Sequence, residues 1–329
     1  MKQKKKLRVL ILLALFVLAL FFFVLANGTA DIAVLDVWHA LSCLDESNQT
    51  QLILRTIRLP RVLGAFLVGS SFALSGALMQ GVTRNPLADS GLLGINAGAS
   101  FAMVISFAFW PDASSAAIFL WSFFGSLLVT LFVFGFLSFS KMGMNPIQLV
   151  LAGVAINSFF TAISQALTQL FDLQQDFAFW FVGGAANITW HQLSILGPVY
   201  FLAACCAFLL GRSVSLVNLS EAHALALGGH PARIRLIAFG LVAVLAALAV
   251  SLVGPVSFIG LMVPPIVRGI FGSDYRYVLP ASFLLGGGLV MLADFAARMV
   301  NPPFETPFGL VIALIGVPFL LFQVRREPS

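Results

Sequence analysis

Residues Arg58–Ser100 read RLPRVLGAFLVGSSFALSGALMQGVTRNPLADSGLLGINAGAS, and this stretch decides the fold. Two arginines around a proline open it. An apolar helix studded with small residues follows, then the polar turn Thr83-Arg84-Asn85-Pro86. Gly-rich sequence then enters a second apolar helix. Hydrocarbon alone requires only Leu, Ile and Val, so the serines, the glycines and Gln80 inside the span call for a reason beyond membrane solubility.

The rest of the chain is built in the same way. It is 60% hydrophobic and 9% charged, with a mean hydropathy of +1.01; soluble domains carry about 25% charged residues. Its apolar residues fall in blocks of about 17–25, the length that crosses a ~30 Å hydrocarbon core as helix. Strand-like alternation is absent, which argues against a barrel. The expectation is an all-α integral membrane protein, one domain over residues 1–329. About ten transmembrane helices fit, near 7–26, 60–82, 91–109, 115–139, 148–170, 193–211, 233–253, 256–270, 277–297 and 307–324. Gly and Pro mark most boundaries. The eighth span is short enough to lie inside protein without crossing fully. Residues 1–26 resemble a signal peptide, but the apolar run Val9–Ala26 exceeds the ~7–15 residues of a secretory h-region. It reads as the first span.

Charge fixes an expected orientation. With the N-terminus inside, the inner segments hold 14 of the 18 Lys and Arg, and the outer ones hold Arg55, Arg58, Arg61 and Arg298. That asymmetry obeys the positive-inside rule and places both termini in the cytoplasm. The basic balance therefore reflects topology and gives no sign of nucleic-acid binding. Arg58, Arg61 and Arg298 run against the signal. They either snorkel or pair with nearby acids (Asp294 lies at i,i+4 spacing from Arg298), or they dock an acidic partner.

No enzyme site emerges. Four of the five lysines sit at the extreme N-terminus, and Lys141 follows Ser140, so no phosphate-binding GxxxxGK[ST] loop exists. Asp172 and Asp176 lie one turn apart in an outer loop without a partner base. The four histidines are scattered, and Cys43, Cys205 and Cys206 have neither disulfide nor metal spacing, so no cofactor or metal is expected.

The fifth span is different. Asn157, Thr161, Ser164, Gln165, Thr168 and Gln169 form one polar stripe at helical spacing. Uncompensated polar groups cost several kcal/mol in hydrocarbon, so the stripe must face protein or water. It serves either interhelical hydrogen bonding or the wall of a translocation path; an uncharged wall suits a bulky polar solute. In the inner segment 214–235, Ser220 is placed as an N-cap with Glu221 in the first turn. His223 and Leu227 lie on the short helix that follows, which Gly228-Gly229 stops. That helix reads as an interfacial anchor or as a knob for a cytoplasmic motor.

At these motifs the chain resembles the permease subunits of bacterial ABC importers for iron–siderophores, haem and cobalamin, including the vitamin B12 importer permease. The resemblance rests on Arg58-Leu-Pro-Arg61, Ser75-Gly-Ala-Leu-Met-Gln80, Asn85-Pro-Leu-Ala88 and Gly91-Leu-Leu-Gly94. Further along it rests on Phe258-Ile-Gly-Leu-Met-Val-Pro264, Ala293-Asp294, Ala297-Arg298, Pro307-Phe-Gly309 and Gly316-Val-Pro-Phe319. It implies a type II ABC importer permease fold in the bacterial cytoplasmic (inner) membrane, surrounded by lipid. It also implies a second permease chain (an identical copy or a paralogue), two cytoplasmic ATP-binding subunits, and a periplasmic or lipid-anchored substrate-binding protein.

By motif, Arg58, Arg61 and Arg298 would meet acidic residues of that binding protein. Residues 217–230 would be the coupling helices. Asn85, Pro86 and Leu87, with Asn145, Pro146 and Ile147, would sit at the cytoplasmic gate, and the fifth span would line the path. Where the family commonly has Pro-His, this chain reads Pro264-Pro265. The implied cargo is an iron–siderophore, with haem and cobalamin as alternatives. The rival class is an ion-coupled secondary transporter, which would need an ionisable residue near mid-membrane.

Overall fold

A computed structural model describes residues 3–27, 48–138, 146–182, 184–301, 304 and 306–326. Every regular element among them is helical. Seven helices are long and apolar enough to cross a membrane, and three shorter apolar ones accompany them. In order these ten match the expected spans. They are α1 (Gln3–Ala26), α2 (Gln49–Thr83), α3 (Ile95–Phe109), α4 (Ser115–Ser138) and α5 (Pro146–Leu170). After the short α6 (Gln174–Val182) come α7 (Trp190–Leu219), the single-turn α8 (Glu221–Ala226) and α9 (Pro231–Val253). The chain closes with α10 (Ile259–Phe271), α11 (Tyr275–Val300) and α12 (Phe308–Arg326).

α2 is the axis of the bundle. It starts eleven residues before the expected Pro60, at Gln49, where the Asn48 side chain accepts from the amides of Thr50 and Gln51. A π-helical turn over Leu54–Arg58 then leads into Pro60. From Pro60 to Val82 nearly every residue is buried, against α7, α9, α10 and α11. Its small residues explain how. A Cβ on Gly69 would lie 2.2 Å from the Gly286 carbonyl oxygen of α11, and one on Gly76 2.2 Å from that of Gly260 of α10. Backbones touch at both points, the packing that holds helices together where no hydrophobic gradient exists. The serines are satisfied locally: Ser75 donates to the Phe72 carbonyl, while Ser70 bonds its own helix and shares a hydrogen bond with Tyr200.

α10 is preceded by Phe258 in the left-handed region (φ 75°), and its first turn packs on α2 between Phe72 and Gln80. Thirteen residues rise only about 20 Å, short of the hydrocarbon thickness. The eighth span is thus a helix too short to cross fully, buried along one face while Ile266 and Ile270 stay exposed. α1 packs on α11 along one side and exposes most of its surface, as an outer, lipid-facing span would.

Candidate functional site

The three arginines set against the charge gradient come together at one end of α2, and all are buried. Arg61 forks onto Asp294, with Nε donating to Oδ2 at 3.0 Å and Nη2 to Oδ1 at 2.9 Å. Arg298, one turn along α11, lies 3.3 Å from the same carboxylate and over the Phe295 ring. Arg58 donates to the carbonyls of Leu25 and Ala26, the last residues of α1. A cation at a helix C-terminus meets the negative end of the macrodipole. Asp294 therefore serves two arginines. Arg55, one turn before Arg58, is exposed.

At the opposite end, α2 stops at Arg84, which takes the left-handed conformation (φ 55°, ψ 30°). The next turn leaves Asn85 and Leu87 exposed and Pro86 half-buried, with Asn85 Oδ1 accepting from the Leu87 amide. Asp89 then turns inward: a Cβ on Gly260 would lie 2.8 Å from its Oδ1. Desolvation pushes the Asp89 carboxyl above the ordinary carboxylate range, partly offset by amide hydrogen bonds from Gly91 and Ser90. Gln80, unexplained by hydrophobicity, donates to the Gly260 carbonyl at 2.9 Å and accepts from Arg268 at 2.7 Å. The expected gate turn is thus moored to the start of α10. Of the second gate motif, Asn145 lies outside the described residues, and Pro146 and Ile147 open α5.

The polar stripe of α5 divides. Ser164 and Thr168 are buried, and each hydroxyl donates at 2.7 Å to the carbonyl four residues back. They lie on the side where α5 meets α3, Phe160 against Phe101. Asn157 and Thr161 are half-buried, whereas Gln165 and Gln169 are exposed. The open face of α5 also carries Ala155, Ser158, Ala162 and Ala166. The sequence stripe sits about one helical position away from this open face, which Leu151 and Phe159 also share.

The segment after α7 folds as its residues suggest. Ser220 is extended (φ −168°), and α8 carries Glu221 and His223. Gly228 takes φ 74°, its amide bonding the Leu225 carbonyl while that of Gly229 bonds Ala224. This is the Schellman termination, which needs glycine at the left-handed position. Leu225 and Leu227 are exposed at 62% and 69% beyond the span ends, where water or a partner must cover them.

Residues 13–326 match one family model. The chain belongs to the FecCD transport family. FecCD membership covers nearly the whole chain and makes this a multi-pass transport permease of the bacterial cytoplasmic membrane, with the type II fold. Over 306 residues it is 42% identical to the iron(3+)-hydroxamate import system permease protein FhuB of Bacillus subtilis (strain 168), covering 93% of this chain and 80% of that one. It is 35% identical to the hemin transport system permease protein HmuU of Yersinia pestis, covering 92% of each. A solved chain assigned to an inward-facing metal-chelate type ABC transporter superposes with a TM-score of 0.85 at 27% identity, covering 97% of this chain and 99% of that one.

Two features of this FecCD chain escaped sequence reasoning. The Arg61–Asp294 pair joins residues 233 positions apart, and only Gln80, a lone amide in an apolar helix, signalled the Gln80–Arg268 link.

Proposed function

We propose that this chain is the membrane-spanning subunit of an ABC importer that takes up iron(3+)-siderophore complexes, hydroxamates foremost. The observation that carries the cargo is the 42% identity to a hydroxamate permease along 93% of the chain. A lower likeness to a hemin permease makes haem the second reading. Two such chains, identical or paralogous, would enclose a path. The open face of α5, with Ser158, Gln165 and Gln169 and with Asn157 and Thr161 at its edge, would form its wall. Small and uncharged side chains leave room for a bulky chelate and hold no ion against release.

ATP hydrolysis belongs to partner chains. The exposed Leu225 and Leu227 of the α8 segment would seat in them, with Ser220, Glu221, His223 and Gly228 setting its shape. Asn85–Leu87 would close the cytoplasmic side. The end bearing Arg58, Arg61 and Arg298 would receive an acidic substrate-binding protein from outside; support comes from the exposed cation Arg55 one turn before Arg58. Both termini would then lie in the cytoplasm.

The test is uptake of radioiron-labelled hydroxamate into proteoliposomes holding this chain, its ATP-binding chains and the loaded binding protein. ATP-dependent accumulation that labelled haem does not compete away is the expected result. Haem uptake without hydroxamate uptake would overturn the cargo.

A further inference from the structure

We propose that Asn218 and Arg235 form a clamp by which the α8 segment moves α2, and that they are positioning residues for transport. α2 ends abruptly in a left-handed Arg84, so its last carbonyls need donors from elsewhere. Two arrive from the two flanks of one segment. Asn218, at the end of α7, gives its amide to the Gly81 carbonyl at 3.2 Å. Arg235, in the second turn of α9, gives Nε to the Val82 carbonyl at 3.3 Å. Everything between them is the α8 segment with its exposed leucines. The segment therefore stands on the last turn of α2 with both feet, and the cationic foot has the sign that a helix C-terminus favours.

What α2 receives it passes on. Backbone contacts at Gly69 and Gly76 tie it to α11 and α10, so a shift of its last turn is carried along its packed length. Its far end holds Arg58 and Arg61. A displacement of α8 thus reaches both the Asn85–Leu87 turn, which follows directly from the clamped turn, and the arginine cluster.

This inference rests on the reading of α8 as the contact for the ATP-binding chains, and the experiment separates the two. The complex is reconstituted with its ATP-binding chains, and hydrolysis is measured with and without iron(3+)-hydroxamate-loaded binding protein. Asn218→Asp keeps the size but turns the donor into an acceptor, and Arg235→Ala removes the other donor. Arg235→Ala should keep the ATP-binding chains and near-normal basal hydrolysis, and in both variants uptake and its stimulation of hydrolysis should fall by about tenfold. Arg235→Lys retains a donor and the charge and should recover part of the loss. Wild-type stimulation and uptake in Asn218→Asp and Arg235→Ala would overturn the clamp. Loss of the ATP-binding chains from Arg235→Ala would overturn it too, by making the residue an assembly contact. The α8 reading fails on a separate result: the Leu225→Asp, Leu227→Asp double variant still retaining its ATP-binding chains.

Discussion

Asp294 pairs with two buried arginines at once. Arg61 and Arg298 are both withdrawn from solvent against it, so removing the acid takes an ion-pair partner from each. Breaking a buried pair costs about 3–5 kcal/mol. Asp294→Asn should therefore lower the thermal midpoint of the detergent-solubilised protein sharply. Arg298→Met, which keeps the Arg61–Asp294 fork, should lower it much less; equal losses would show that the fork is not the main tie.

Asp89 behaves in the opposite sense. Its raised carboxyl binds a proton more readily in the folded chain than in the unfolded one. It thus lowers stability as pH rises from the ordinary carboxylate value, ~3.9, to its folded value, with no further change above. Asp89→Asn keeps an acceptor for the Gly91 amide and should match or exceed the wild-type midpoint at neutral pH. A clear loss there would mean that the charge itself is used.

At the scale of single helices, apolar length and punctuation made the spans readable in advance. The membrane imposes a length, and Gly228-Gly229 could end α8 in few other ways. Context hid the rest. The start of α2 at Gln49 is amphipathic and looks like loop, and the shortness of α10 signalled an incomplete crossing without showing that it packs on Gly76 of α2. The α5 stripe is the instructive case. Polar periodicity identifies a face, but a serine or threonine that bonds its own i−4 carbonyl is already satisfied and can turn inward. Substitutions at Ser164 therefore probe packing against α3, while Ala162, exposed on the same helix, probes the path. Ala162→Trp should abolish uptake with normal expression and unchanged thermal midpoint. Ser164→Trp should overpack the α3 interface and lower the yield of folded protein. Uptake unaffected by Ala162→Trp would remove this face from the path wall.

For the whole molecule, the charges and the close-packed α2 give the two ends of the bundle different tasks. One end ties α1, α2 and α11 together through buried arginines and exposes Arg55; the other ties α2 to α7, α9 and α10 beside the exposed leucines. A transporter must report an outer event to an inner motor, and a helix packed on all sides between two such ends can carry that report. On the proposed docking of an acidic partner at the arginine end, the outer event is electrostatic, and its strength should depend on salt and on the accessible cation more than on the buried ones. Arg61→Glu would place two acids together and disrupt the cluster before any docking could be measured. Arg55 avoids that confusion, being exposed and outside the Asp294 cluster. Arg55→Glu should slow association of the loaded binding protein and flatten its dependence on ionic strength, with dissociation little changed, as rim charges act mainly on encounter. Surface-captured complex in nanodiscs, titrated with binding protein across a salt series, makes the measurement. Association rates that ignore both salt and the reversed charge would move the docking surface away from this end.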